Sequence, residues 1–102
     1  MNILVTFKTF PKQKEYLKNA LGKETPVFFK EDYADEALKK IMADADILLS
    51  WNPSQEGIHK DRLPMEHVRF MQLLSAGYDH IRFEELPTGL QIAANQGAYA
   101  EP

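Results

Sequence analysis

Cysteine is absent from the 102 residues. That excludes disulfides, thiolate nucleophiles and cysteine-held metals, and it agrees with a reducing compartment. Long apolar runs are also missing. No segment approaches the roughly 18 consecutive apolar residues that a membrane span requires, and no basic region followed by an apolar block opens the chain. An excess of basic residues is lacking as well. Twelve Lys and Arg against fifteen Asp and Glu give a net charge of −3, which carries no nucleic-acid footprint. Internal repeats and low-complexity tracts are not visible. The expectation is a cytoplasmic globular domain with no membrane or nucleic-acid partner, long enough for a single core.

What is present is an alternation of short apolar runs and amphipathic stretches. Residues 2–7 (Asn-Ile-Leu-Val-Thr-Phe) form a β-rich run of the kind buried on both faces in a parallel sheet. Pro11 suits a first helical turn, Tyr16, Leu17, Ala20 and Leu21 recur at helical spacing, and Gly22 is a stop. A second strand is expected at 26–29. A second helix follows, with Ala34, Leu38, Ile41 and Ala45 on one face, then a third strand at 46–51. Residues 52–64 hold two prolines, a glycine and mixed charge, and read as a loop with at most one helical turn. A fourth strand spans 68–74, a short helix runs from Asp79 to about Leu86, and a fifth strand covers 90–94. This order predicts an α/β fold: a flavodoxin-like, doubly wound, parallel five-stranded sheet with flanking helices in three α/β/α layers. Two good helices and one short one are too few to cover both faces. One face of the sheet is expected to be under-covered, to be buried by further chain or by homo-oligomer formation.

One junction stands out chemically. The apolar fourth strand stops at Ser75-Ala76-Gly77, and Asp79 offers a side-chain cap for a new helix. A strand–glycine–helix junction at the carboxyl edge of an open sheet presents backbone N–H groups that suit a carboxylate. Other chemistries fit poorly. The loop after strand one is Lys8-Thr9-Phe10-Pro11, without the glycine that a flavin phosphate needs. Strand three ends in Ser50-Trp51, not in the aspartate of a phosphoacceptor domain. His59, His67 and His80 are scattered, so no metal site is expected. No nucleophile–base pair is legible.

Residues 73–81, Leu-Leu-Ser-Ala-Gly-Tyr-Asp-His-Ile, resemble the strand–loop–helix signature in the N-terminal substrate-binding domain of the D-isomer-specific 2-hydroxyacid dehydrogenases. Residues 90–102, Leu-Gln-Ile-Ala-Ala-Asn-Gln-Gly-Ala-Tyr-Ala-Glu-Pro, are similar to that family's fifth strand and the start of its first interdomain helix. Residues 45–50, Ala-Asp-Ile-Leu-Leu-Ser, resemble its third strand. The resemblance covers nearly the whole chain in order and spacing. It implies that residues 1–102 are the substrate-binding domain of a protein about three times as long, and that an NAD(P)-binding Rossmann domain and a C-terminal helix lie outside this chain. The family's GxGxxG fingerprint and catalytic Arg, Glu and His have no counterpart here, so no catalytic or cofactor-binding residue is assigned. His80 is not the family's catalytic histidine.

Carried over by position, the resemblance puts the substrate carboxylate on the backbone N–H groups of Ala76 and Gly77. Ala76 leaves room in the pocket, and Gly77 allows close approach. Trp51 and Asn52 fall on the loop that lines the pocket and selects the substrate side chain. Trp51 either fills that pocket or packs as a half-buried core aromatic, and Asn52 can hydrogen-bond. Tyr78 either contacts substrate or packs beneath the short helix. Asp79 is read as the helix cap, and Tyr99 as a cleft or packing residue near the hinge. The implied activity of the full-length protein is NAD- or NADP-dependent interconversion of small 2-keto acids and D-2-hydroxy acids. The 102-residue chain alone is expected to bind no cofactor and to be inactive. The alternative is a stand-alone, non-catalytic α/β module that binds a carboxylate metabolite or a protein partner.

Overall fold

The computed structural model describes residues 1–21, 24–74 and 81–94. Its elements are β1 (Ile3–Val5), α1 (Pro11–Ala20), β2 (Val27–Phe29), a 3-10 turn at Lys30–Asp32, α2 (Asp35–Asp44), β3 (Ile47–Ser50), β4 (Phe70–Leu73), a 3-10 turn at Phe83–Glu85 and β5 (Gln91–Ala93). The strands form one sheet in the order β2-β1-β3-β4-β5, and every pairing is parallel. This is the flavodoxin-like winding, whose direction reverses between β1 and β3. All five strands fall inside the ranges expected from sequence.

The register explains how the layers form. Phe28, Leu4, Leu48, Met71 and Ile92 are successive cross-strand partners, so they make one apolar row across the whole sheet. Phe29, Val5, Leu49, Gln72 and Ala93 make the matching row on the other face. The first row anchors the main core. Met42, Leu38 and Ile41 of α2 pack against it, joined by Ile58, Leu63, Met65 and Leu86 from the connections. The second face holds a smaller cluster of Val5, Phe7 and Phe29, with Leu17 of α1 against it. Lys14 and Lys18 of α1 lay their ammonium groups over the Phe29 ring at 5.3 and 5.7 Å.

The two helices bury very different amounts. Pro11 opens α1 at a position where its missing N–H costs nothing, and the Gln13 side chain accepts the Phe10 N–H at 3.2 Å. Yet α1 buries no residue fully. Of the expected apolar face, Leu17 and Leu21 are half-buried, while Tyr16 and Ala20 stand in solvent. A ten-residue helix meeting the sheet mainly through Leu17 has no second apolar ridge to seat. In α2, Met42 completes the stripe of Leu38, Ile41 and Ala45 and is wholly buried, whereas Ala34 is the exposed N-cap. Among the described residues the second face is thus the thinner one.

Two irregular segments stand out. Residues 52–64 form the expected loop, built of turns, and they also bury Pro53, Ile58 and Leu63, so this stretch is a wall of the main core. In the described part of the expected 79–86 helix, only the 3-10 turn Phe83–Glu85 forms. Its cap residue Leu86 is extended and buried, which pulls the chain out of helical geometry. At the amino edge of the sheet, Asp46 acts as a staple. It accepts the Asn2 N–H at 2.7 Å and meets His67 Nε2 at 3.0 Å. Among the described residues, no helix is long and apolar enough to cross a membrane.

Candidate functional site

Open parallel sheets hold ligands beyond the carboxyl ends of their strands, at the point where the winding reverses. Here that point lies between β1 and β3. Thr6 follows Val5, and its N–H donates to Leu49 O at 2.9 Å, so β1 and β3 stay paired to the rim. Ser50 closes β3 and accepts the Leu74 N–H at 2.8 Å, tying β4 to the same rim. The Thr6 and Ser50 hydroxyls are both buried. A buried hydroxyl requires a partner.

That partner is Glu56, from the turn after β3. Its Oε1 accepts Thr6 Oγ1 at 2.5 Å and Ser50 Oγ at 2.6 Å. Its Oε2 accepts the backbone N–H of Trp51 at 3.0 Å and of Asn52 at 2.9 Å. Four donors from two strands and a loop therefore converge on one carboxylate, with two on each oxygen. The turn is set by Glu56 N–H donating to Asn52 O at 3.1 Å and Ile58 N–H donating to Pro53 O at 2.9 Å. Gly57, directly after Glu56, has φ +78°, a left-handed conformation that side chains resist.

A second carboxylate ties the other end of the β1–α1 loop. Glu31 Oε2 accepts the Thr9 N–H at 2.9 Å and also the Thr9 hydroxyl. These bonds from Thr9, with a smaller contribution from Lys14, hold Glu31 below the ordinary glutamate range. Lys14 itself donates to Asp32 at 2.7 Å and stands 3.9 Å from Glu31. Its hydrogen bond to Asp32 raises its pKa above the usual lysine value.

Of the residues expected to form the pocket, Trp51 and Asn52 can be placed. Trp51 is 47% exposed, with its ring edge-on to buried Phe7 at 6.4 Å between centroids. It forms an aromatic flank on the carboxyl edge. Asn52 has its backbone engaged by Glu56, and its Oδ1 accepts the Gln55 N–H at 3.4 Å, so the side chain caps its own turn. Ala76, Gly77 and Tyr78, together with Asp79, His80 and Tyr99, lie outside the described residues.

Sequence reading missed Glu56, Thr6, Ser50, Thr9 and Glu31. A usable signal existed: hydroxyl residues at the ends of two apolar strands would be buried and would demand acceptors. Two surface depressions lie elsewhere, beside the segments leading into β4 and β5. One is lined by Lys60, Asp61, Met65, Glu66 and Pro87, the other by residues that include Val68, Arg69 and Leu90. Among the described residues, no group of His, Asp or Glu has the arrangement to hold a metal ion. Compared with known proteins, the chain matches no family model, no curated protein and no solved structure.

Proposed function

We propose that this chain is the substrate-binding domain of an NAD(P)-dependent oxidoreductase that interconverts small 2-keto acids and D-2-hydroxy acids. The observation that carries the reading is the alignment of β3 and β4 at the carboxyl edge. Ser50 is in register with Leu73, and the Leu74 N–H bonds to Ser50 O. Trp51-Asn52 and Ser75-Ala76-Gly77 are the segments that follow these two adjacent, parallel strands in the chain. In this reading a short acid sets its carboxylate on the backbone amides of Ala76 and Gly77 and its side chain against the half-exposed Trp51.

In this proposal the chain binds and orients the substrate, and the reacting groups come from a second domain of the full-length protein. A bound nicotinamide supplies or accepts the hydride at C2. Ala76 and Gly77 would hold the carboxylate so that C2 faces the second domain. The expected Arg, Glu and His of that second domain provide the clamp and the proton exchange. The chain by itself is expected to be inactive.

The test uses the product of the entire reading frame. Oxidation of NADH and NADPH is followed with glyoxylate, pyruvate and hydroxypyruvate. The expected result is turnover of at least one acid, together with a KM at least about tenfold higher in Gly77→Val, because two charge-assisted hydrogen bonds are lost. A protein with no turnover of the three acids would favour a non-catalytic carboxylate-binding module. A Gly77→Val enzyme with unchanged KM would remove Ala76 and Gly77 from the site.

A further inference from the structure

The β1/β3 switch point holds a receptor that the function above does not use. Its donors are the Thr6 and Ser50 hydroxyls and the Trp51 and Asn52 amides. Ser50 is fully buried and Thr6 is 3% exposed, so the two hydroxyls are fixed in place. We propose that this is a binding site for a small monocarboxylate, occupied in the free protein by the chain's own Glu56, and that an incoming carboxylate displaces Glu56 from the same four donors.

Three features point to carboxylate. The donors split two and two between the oxygens of one planar group. All four donors are neutral, and among the described residues no lysine or arginine pairs with Glu56, so a doubly charged phosphate would go uncompensated. The site also lies where this winding places ligands. Glu56 is only half-buried, and the turn that carries it is held by its own backbone, with Ile58 N–H on Pro53 O at 2.9 Å, independently of the carboxylate. The exchange conserves charge: one carboxylate leaves and another enters. Because Glu56 is tethered, it competes at an effective concentration on the order of millimolar or above. Binding to the wild type is therefore weak, and strong only when Glu56 is removed.

Trp51 is the sole tryptophan of the chain and adjoins the receptor, so its emission reports occupancy. Wild type, Glu56→Ala and the double variant Glu56→Ala/Ser50→Ala are titrated with sodium formate and sodium acetate. Sodium chloride and formamide at matched concentration are the controls, and melting temperature is recorded alongside fluorescence. The expected result is saturable stabilisation of Glu56→Ala by formate and not by chloride. Its apparent Kd should be at least about tenfold below that of wild type, and the added Ser50→Ala should abolish the response. A folded Glu56→Ala that responds equally to formate and chloride overturns the proposal. Should Glu56→Ala not fold, Glu56→Gln replaces it, since the amide keeps the bulk but turns N–H groups toward the donors. Should neither fold, wild type decides: a saturable formate-specific change in Trp51 emission that Ser50→Ala removes supports the site, and no change overturns it. Adding Gly77→Val separates this site from the one proposed above. A formate response that survives Gly77→Val belongs to the switch point, whereas one lost with Gly77→Val and kept with Ser50→Ala belongs to Ala76-Gly77 and overturns the inference.

Discussion

Leu48 and Leu49 are neighbours on the central strand β3, yet their replacement by alanine should have very different consequences. Leu48 is fully buried in the row Phe28, Leu4, Leu48, Met71 and Ile92, under α2 and the buried turn residues. Its truncation removes apolar surface and leaves a cavity between sheet and helix, which in a well-packed core costs about 3–5 kcal/mol. Leu49 lies on the thinner face, half-buried beside Val5 and Phe29 and in register with polar Gln72. Water and neighbouring side chains can fill the gap there, so the expected loss is about 1–2 kcal/mol.

The difference of about 2–3 kcal/mol is large against the 5–15 kcal/mol that holds a domain of this size. It corresponds to a gap in melting temperature of roughly 10–20 °C between the two variants. Urea denaturation followed by far-ultraviolet circular dichroism gives both values, provided that the slope is unchanged between variants. Equal losses would mean that the two faces are covered equally and that the asymmetry of the layers is wrong. A loss under about 1 kcal/mol for Leu48→Ala would remove Leu48 from the core altogether.

Glu56→Ala should itself destabilise by about 2–5 kcal/mol, because it leaves the buried Thr6 and Ser50 hydroxyls short of an acceptor; Thr6 retains Leu49 O at 3.0 Å, so Ser50 carries the larger share. Ser50→Ala added to Glu56→Ala should recover part of that loss, and a urea double-mutant cycle showing strict additivity would refute the coupling. Asp46 is held below the usual aspartate range, first by the Asn2 N–H and then by His67 and the chain amine. A depressed pKa gives stability that is present above the ordinary value of 3.8 and is lost as pH falls through the folded value. Asp46→Asn should therefore flatten the acid limb of stability against pH, and an unchanged limb would refute the staple. The same sign applies to Glu31, so Thr9→Ala, which removes the largest stabilising bond on that carboxylate, should move the Glu31 titration upward when followed by NMR.

Much of the fold was legible because its strands are short and mostly apolar. Residues 2–7, 46–51 and 68–74 have no alternation, which signals burial on both faces and hence a parallel sheet. The order β2-β1-β3-β4-β5 then follows from strands separated by crossover segments. Helix spacing was less informative. Tyr16 and Leu17 both fit an apolar face, but only Leu17 reaches the sheet, since a local period cannot say how much surface a short helix finds opposite it. Residues 52–64 form the expected loop, but their burial was hidden for a different reason. Pro53, Ile58 and Leu63 enter the core without any repeating pattern, so periodicity had nothing to detect. Glu56 was invisible for the same reason: its role depends on Thr6, 50 residues away, and becomes apparent only when β1 and β3 are paired.

The two carboxylates also account for the chemistry this edge rejects. The β1–α1 loop starts at Thr6, held by Glu56, and is tied again at Thr9, held by Glu31. In nucleotide-binding relatives of this winding, such a loop must offer free N–H groups to a phosphate. Here the Thr9 amide is already committed to Glu31. A monocarboxylate that replaces Glu56 puts one negative charge where one stood before, on four neutral donors, whereas a doubly charged phosphate brings a second with no cation among those donors to balance it. Inorganic phosphate should therefore bind Glu56→Ala more weakly than formate does at pH 7.5, where phosphate is mostly doubly charged. If phosphate proved the tighter ligand in matched fluorescence titrations, charge balance would not be what governs this edge, and the four donors alone would set its preference.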